Sequence, residues 1–120
     1  MTEVTRVQGS EGNYADLSVT LYADRVMIVV TSNGRVGTVH TGRRELALDG
    51  KTPTYAVDIL MGRRGEHAAL DSVYTRGLAG AMPETDPRPV LVLMGALPHD
   101  KDLYRNVIQA AHLILSTLCA

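Results

Sequence analysis

The chain has 120 residues, of which 45% are hydrophobic and 21% charged, values that suit one folded domain and argue against disorder. Twelve Lys and Arg residues oppose thirteen Asp and Glu for a net charge of −1, which gives no electrostatic basis for binding nucleic acid or an anionic membrane. The one cysteine, Cys119, excludes an internal disulfide and fits a reducing compartment.

The first residues, TEVTRVQ at 2–8, alternate and then meet the breaker GSEGN. No apolar signal core precedes them, and no apolar stretch approaches the roughly 20 residues that span a bilayer. A cytosolic or nuclear protein without a membrane partner is therefore expected. YADLSVTLYA at 14–23 alternates cleanly, with Leu17, Val19 and Leu21 on one side and Asp16, Ser18, Thr20 and Tyr22 on the other. Asp24-Arg25 turns the chain into VMIVVTS. Asn33-Gly34 then reads as a tight hairpin, because both residue types tolerate positive φ in a type I′ turn. The spacing pairs 25–32 with 35–41, a strand carrying Val36, Thr38, Val39 and His40.

GRRELALDGKTPT at 42–54 is polar and turn-rich, and reads as a loop. YAVDILMG at 55–62 reads as a strand with Tyr55, Val57, Ile59 and Met61 on one side. Leu70, Val73, Tyr74, Gly77, Leu78, Ala81 and Met82 then recur at helical intervals, predicting an amphipathic helix over 66–82 that Pro83 closes. Gly77 and Gly80 are costly there and are expected to permit close packing on a sheet. VLVLMGAL at 90–97 is uniformly apolar, the pattern of a central strand covered on both faces. Asp100 caps a last helix over 100–118, with Leu103, Val107, Ile108, Ala111, Ile114, Leu115 and Leu118 as its buried stripe. The order βββββ-α-β-α predicts one α+β domain spanning 1–120, an antiparallel sheet with both helices on one face.

Candidate chemistry is sparse. His40, His67, His99 and His112 do not sit at metal-ligand spacing with one another or with Cys119, so no metal site is expected. Cys119 is next to last, where the rigid base and oxyanion donors of a nucleophile are rarely supplied. GRRGEH at 62–67 places Arg63 and Arg64 between glycines at a helix start, where free N–H groups favour an anion. The full phosphate-loop pattern is missing. A solvated loop therefore outweighs a nucleotide site, and an acidic protein surface suits the arginines equally well. The carboxylates of HDKD and PETDP are explained by capping and loop positions.

Three stretches resemble the proteasome assembly chaperone 3 family when taken in order. VMIVVTSNGRVGTV is similar to its strand-turn-strand, YAVDILMGRRGEHAAL to the strand that leads into its first long helix, and VLVLMGALPHDKDLYRNVIQAAHLI to its last strand and C-terminal helix. The resemblance runs from about residue 14 to 118, with departures at 42–54 and in PETDPRP. It implies a non-enzymatic protein without cofactor or catalytic residues. It also implies a dimer with a second small assembly chaperone, a homodimer being the alternative for the isolated chain. The family's clients are α-type subunits of the 20S proteasome, whose α-ring it helps to assemble.

The run at 26–42 raises its own question, since a small domain has few ways to cover a strand that is apolar on both faces. Helices on one side and a partner chaperone on the other would do so. The expected partner face is the less apolar one, with Ser18, Thr20, Tyr22, Thr38, His40, Asp58 and Leu60, joined at the loop by Arg63 and Arg64. Two other classes stand beside this reading. One is a small adaptor module binding a different complex. The other is a small-ligand enzyme centred on Arg63, Arg64 and His67, which requires a deep pocket with convergent polar groups.

Overall fold

A computed structural model describes residues 2–46, 50, 53–62 and 68–119. Strands β1 (Thr2–Gln8), β2 (Tyr14–Leu21), β3 (Val26–Thr31), β4 (Thr38–Leu46) and β5 (Pro53–Met61) are followed by helix α1 (Ala68–Gly80), strand β6 (Val90–Met94) and helix α2 (Lys101–Leu118). The strands form one six-stranded sheet in the order β1-β2-β3-β6-β4-β5. The α+β arrangement is the one that the hydrophobic periodicities imply.

Burial alternates along the central strands, broken at the end of β3 where Val30 and Thr31 are both buried. Leu17, Val19, Val26, Ile28, Val30, Val92 and Met94 are fully buried, and they join Tyr74 and Leu78 of α1 and Leu103, Val107, Ala111 and Leu115 of α2 in one core. Both helices therefore cover the same face of the sheet. Fully burying each such aliphatic side chain is worth about 1.5–3 kcal/mol, and this one layer carries most of the apolar burial. Val73, expected in the α1 stripe, is instead 45% exposed. Gly77 and Gly80 do not approach the sheet backbone. They face the rings of Tyr104 and Tyr55.

The α2 start is fixed by Asp100, whose Oδ1 accepts from the backbone N–H groups of Asp102 and Leu103 at 2.9 and 3.1 Å. Its Oδ2 accepts from Ser10 N, Ser10 Oγ and Asn13 Nδ2, each at 2.9 Å. One carboxylate thus caps the helix and ties it to the β1–β2 turn. The Asn13 amide, then the Leu103 and Ser10 donors, hold this carboxyl well below the usual carboxylate range.

The expected β3–β4 hairpin does not form. Strand β6 lies between the two, parallel to β3 and antiparallel to β4, so the sheet is mixed rather than antiparallel throughout. A two-residue turn joins strands one spacing apart, whereas the ends of β3 and β4 lie two spacings apart, roughly 10 Å. Residues 32–37 bridge that gap. Gly34 adopts φ 73°, Asn33 does not have positive φ, and Asn33 Oδ1 accepts from Arg35 N at 3.0 Å. The bridge crosses the end of β6, where Gly37 N donates to Met94 O at 2.9 Å and Gly95 N to Val30 O at 3.0 Å. A side chain at Gly95 would strike Arg35 O. The uniformly apolar β6 takes the central place, with Val90, Val92 and Met94 buried beneath the helices and Leu91 and Leu93 half-buried on the other face.

Two further differences lie in β4 and β5. Of the segment expected as a loop at 42–54, residues 42–46 and 53–54 are strand, since Arg43 pairs with Ala56, Arg44 with Tyr55, and Leu46 with Pro53, while 47–49 and 51–52 fall outside the described residues. Arg44 also donates to Met82 O at 2.8 Å and Pro83 O at 3.3 Å, which explains how so polar a strand is held. A bulge opposite Val39/His40 inserts one residue into β5, so Met61 pairs with Val39 while Ile59 pairs with His40. Met61 therefore leaves the side shared by Tyr55, Val57 and Ile59.

Candidate partner-binding face

The face of the sheet away from the helices is built by the alternate residues. The register places Asp16 opposite Thr31, Ser18 opposite Val29 and Thr20 opposite Met27. It then aligns Met27 with Leu91 and Val29 with Leu93, Leu93 with Val39 and Leu91 with Thr41, and Thr41 with Asp58 and Val39 with Met61. Met27, Val29, Leu91, Leu93 and Val39 thus form a continuous apolar centre. All five are only half-buried, although neighbouring residues on the same strands are fully buried. Leu60 and Met61 extend the patch at 56% and 68% exposure. A contiguous apolar patch on one sheet face is the kind of surface that suits an interaction.

The β1–β2 end is polar. Arg6 pairs with Asp16 through two contacts of 2.8 and 3.3 Å, and its guanidinium lies 4.3 Å from the Tyr14 ring centre. The Arg6 hydrogen bond draws the Asp16 carboxyl below its ordinary range. Thr2 and Thr20 share a hydroxyl contact of 3.0 Å, and Val4, opposite Ser18, is 69% exposed. An apolar centre with a polar margin is the usual anatomy of a separable protein interface.

Of the residues expected on this face, Ser18, Thr20, Asp58 and Leu60 lie there, Leu60 beside Thr41, Arg43 and Leu91. Tyr22 is 48% exposed just beyond β2. Thr38 and His40 do not lie there. Thr38 aligns with Met94 and His40 with Val92, both core residues. Thr38 Oγ1 donates to Asp71 Oδ2 of α1 at 3.3 Å, and His40 is fully buried. The cause is phase. A two-residue turn would put Thr38 opposite Val29, whereas the longer bridge puts it in the layer of Val30, and one residue of slip exchanges the faces. Arg63, Arg64 and His67 fall outside the described residues.

Composition alone missed Met27, Val29, Leu91, Leu93, Val39 and Met61. For Met27, Val29, Leu91 and Leu93 the signal was present in the alternate positions of β3 and β6, which remain apolar after the core positions are assigned. Other chemistry is weak. No group of His, Cys, Asp or Glu able to hold a metal occurs among the described residues. Burial raises the Cys119 thiol above its ordinary range, which is contrary to a reactive thiolate. Among the described residues no helix is long and apolar enough to cross a membrane.

Comparison with known proteins agrees with this geometry. No curated protein matches the chain. Among solved structures, a chain of a novel chaperone complex for yeast 20S proteasome assembly is similar in fold, with a TM-score of 0.69 at 12% identity, covering 93% of this chain and 98% of that one. The family model for proteasome assembly chaperone 3 matches residues 28–112, from Ile28 in β3 to His112 in α2. The chain belongs to the proteasome assembly chaperone 3 family, a non-enzymatic family that acts in proteasome assembly.

Proposed function

We infer that this chain is one half of a dimeric chaperone that holds α-type proteasome subunits while their ring forms. A second small chaperone of related fold would pack on the open sheet face, with a second copy of the chain as the alternative occupant in isolation. The observation that carries the reading is the apolar centre formed by Met27, Val29, Leu91, Leu93 and Val39 without a covering helix. A partner burying roughly 800 Å² there would be an ordinary interface. Exposed loops would then supply the contacts to the α-type subunit. The protein would work in the cytosol or nucleus, where Cys119 stays reduced.

Leu93→Arg tests this reading, because it would place an unpaired charge in the interface and cost about 2–5 kcal/mol of association. Cells carrying the variant should accumulate α-ring intermediates or malformed rings on native gels, with less mature core particle. If assembly is unchanged, and neither a proteasome subunit nor a second chaperone copurifies with the native chain, the adaptor reading takes its place.

A further inference from the structure

The helix side of the molecule carries a second surface that the sheet interface does not use. Between α1 and α2 runs an open groove of about 960 Å³. Its apolar lining includes Val73, Gly77, Ala81, Tyr104 and Ile108, with the Tyr55 ring reaching it from β5. At the floor of the groove α1 and α2 meet closely at Gly77, where a Cβ would strike the Tyr104 hydroxyl and lie 2.9 Å from Ile108 Cδ1. Glycine weakens a helix interior, so this close approach of Tyr104 and Ile108 is made against the local preference of α1.

Charge around the groove has one sign. Arg76, Lys101 and Arg105 line it, all exposed, and among the described residues no carboxylate does. Asp102 reaches Arg105 only at 3.9 Å, and both side chains are well exposed, so solvent screens the pair. Three cations around an apolar trough stand out in a chain whose net charge is −1. Their complement is an acidic strip with an apolar centre.

We propose that this groove docks an acidic peptide segment of a partner protein, with a bulky apolar side chain in the trough and flanking Asp or Glu residues on the cationic rim. The volume accommodates a few side chains of such a segment. Because the helices cover the face opposite the open sheet, the two surfaces can be occupied together. The chain then bridges a partner on its sheet and an acidic segment on its helices.

The test uses fluorescein-labelled decapeptide pools with Leu, Phe or Tyr at alternate positions. One pool carries Asp or Glu between them, a second Lys, and a third keeps the acids but replaces the apolar residues by Ser. Fluorescence anisotropy at low salt should show the acidic apolar pool half-saturating at least about tenfold below the other two. The double variant Arg76→Glu, Arg105→Glu should lose that binding by about tenfold or more. Val73→Asp, at an exposed lip position, should produce the same loss and serves if the double variant misfolds. Equal binding of the pools, no saturable binding, or binding untouched by these substitutions overturns the proposal. The assay reads the helix side alone, so its failure leaves the sheet-face reading standing, and intact peptide binding does not rescue that reading.

Discussion

Strands β3 and β6 present two faces of nearly equal hydrophobicity. On one, Val26, Ile28, Val30, Val90, Val92 and Met94 are at most 1% exposed beneath two helices. On the other, Met27, Val29, Leu91 and Leu93 are only half-buried. Local sequence does not separate these sets, since both are aliphatic and both favour a strand. The difference arises from supply. The chain provides two amphipathic helices, which cover one face of a six-stranded sheet and leave the apolar residues of the second face only half-buried.

The contrast is sharpest in truncations. Leu115→Ala opens the core beneath α2 and should destabilise the monomer by about 2–5 kcal/mol, whereas Leu93→Ala on the open face should cost about 1 kcal/mol or less. Equal shifts in urea melts would mean that the second face is already part of the monomer core.

His40 sharpens the comparison from within the covered face. Both of its ring nitrogens are buried without a hydrogen-bond partner, as is the Tyr74 hydroxyl. Burial is the leading cause that pushes Tyr74 up to about 12. His40→Leu removes two unsatisfied polar atoms from the core and should stabilise by about 1–2 kcal/mol. Loss of stability on that substitution would show that the ring finds a partner in solution.

Acid should act through the helix side first. Hydrogen bonds from Arg88 bring Asp86 down to about 2, and Asp100 is depressed by its Asn13, Leu103 and Ser10 donors. Both folded values lie below the unfolded carboxylate value of about 3.9. The stability they confer is therefore present above the unfolded value and is lost as pH falls, for Asp86 through about 2 and for Asp100 lower still. Asp16, paired with Arg6 on the exposed margin of the open face, contributes little to this loss because solvent screens the pair. A thermal melt that weakens between pH 4 and 2, and weakens less in Asp86→Asn, is the expected signature. At the small end, Gln109→Ala on the exposed side of α2 should change stability by less than about 0.5 kcal/mol.

Much of the fold was legible because its signals are local. The alternation of β1 and β2, the stripe of α2 and the Asp100 cap are each specified within a few neighbours. The insertion of β6 between β3 and β4 was not, because Asn33-Gly34 is a turn signal whichever strand lies beside it. That one pairing decided the phase of β4, and with it the placement of Thr38 and His40. The polar length of β4 was equally hidden, since Arg44 is held by carbonyls of Met82 and Pro83 nearly forty residues away. The open face was half legible. Ser18, Thr20, Asp58 and Leu60 were found by alternation, while its apolar centre was read only as evidence that a cover exists.

The direct measurement is photo-crosslinking in the source cells, with a photoreactive residue replacing Leu93 on the open face or Leu113, 63% exposed on α2. Position 93 should capture a second small chaperone that comigrates with proteasome assembly intermediates, and position 113 should not. Capture of that chaperone from position 113 with none from position 93 would contradict the account.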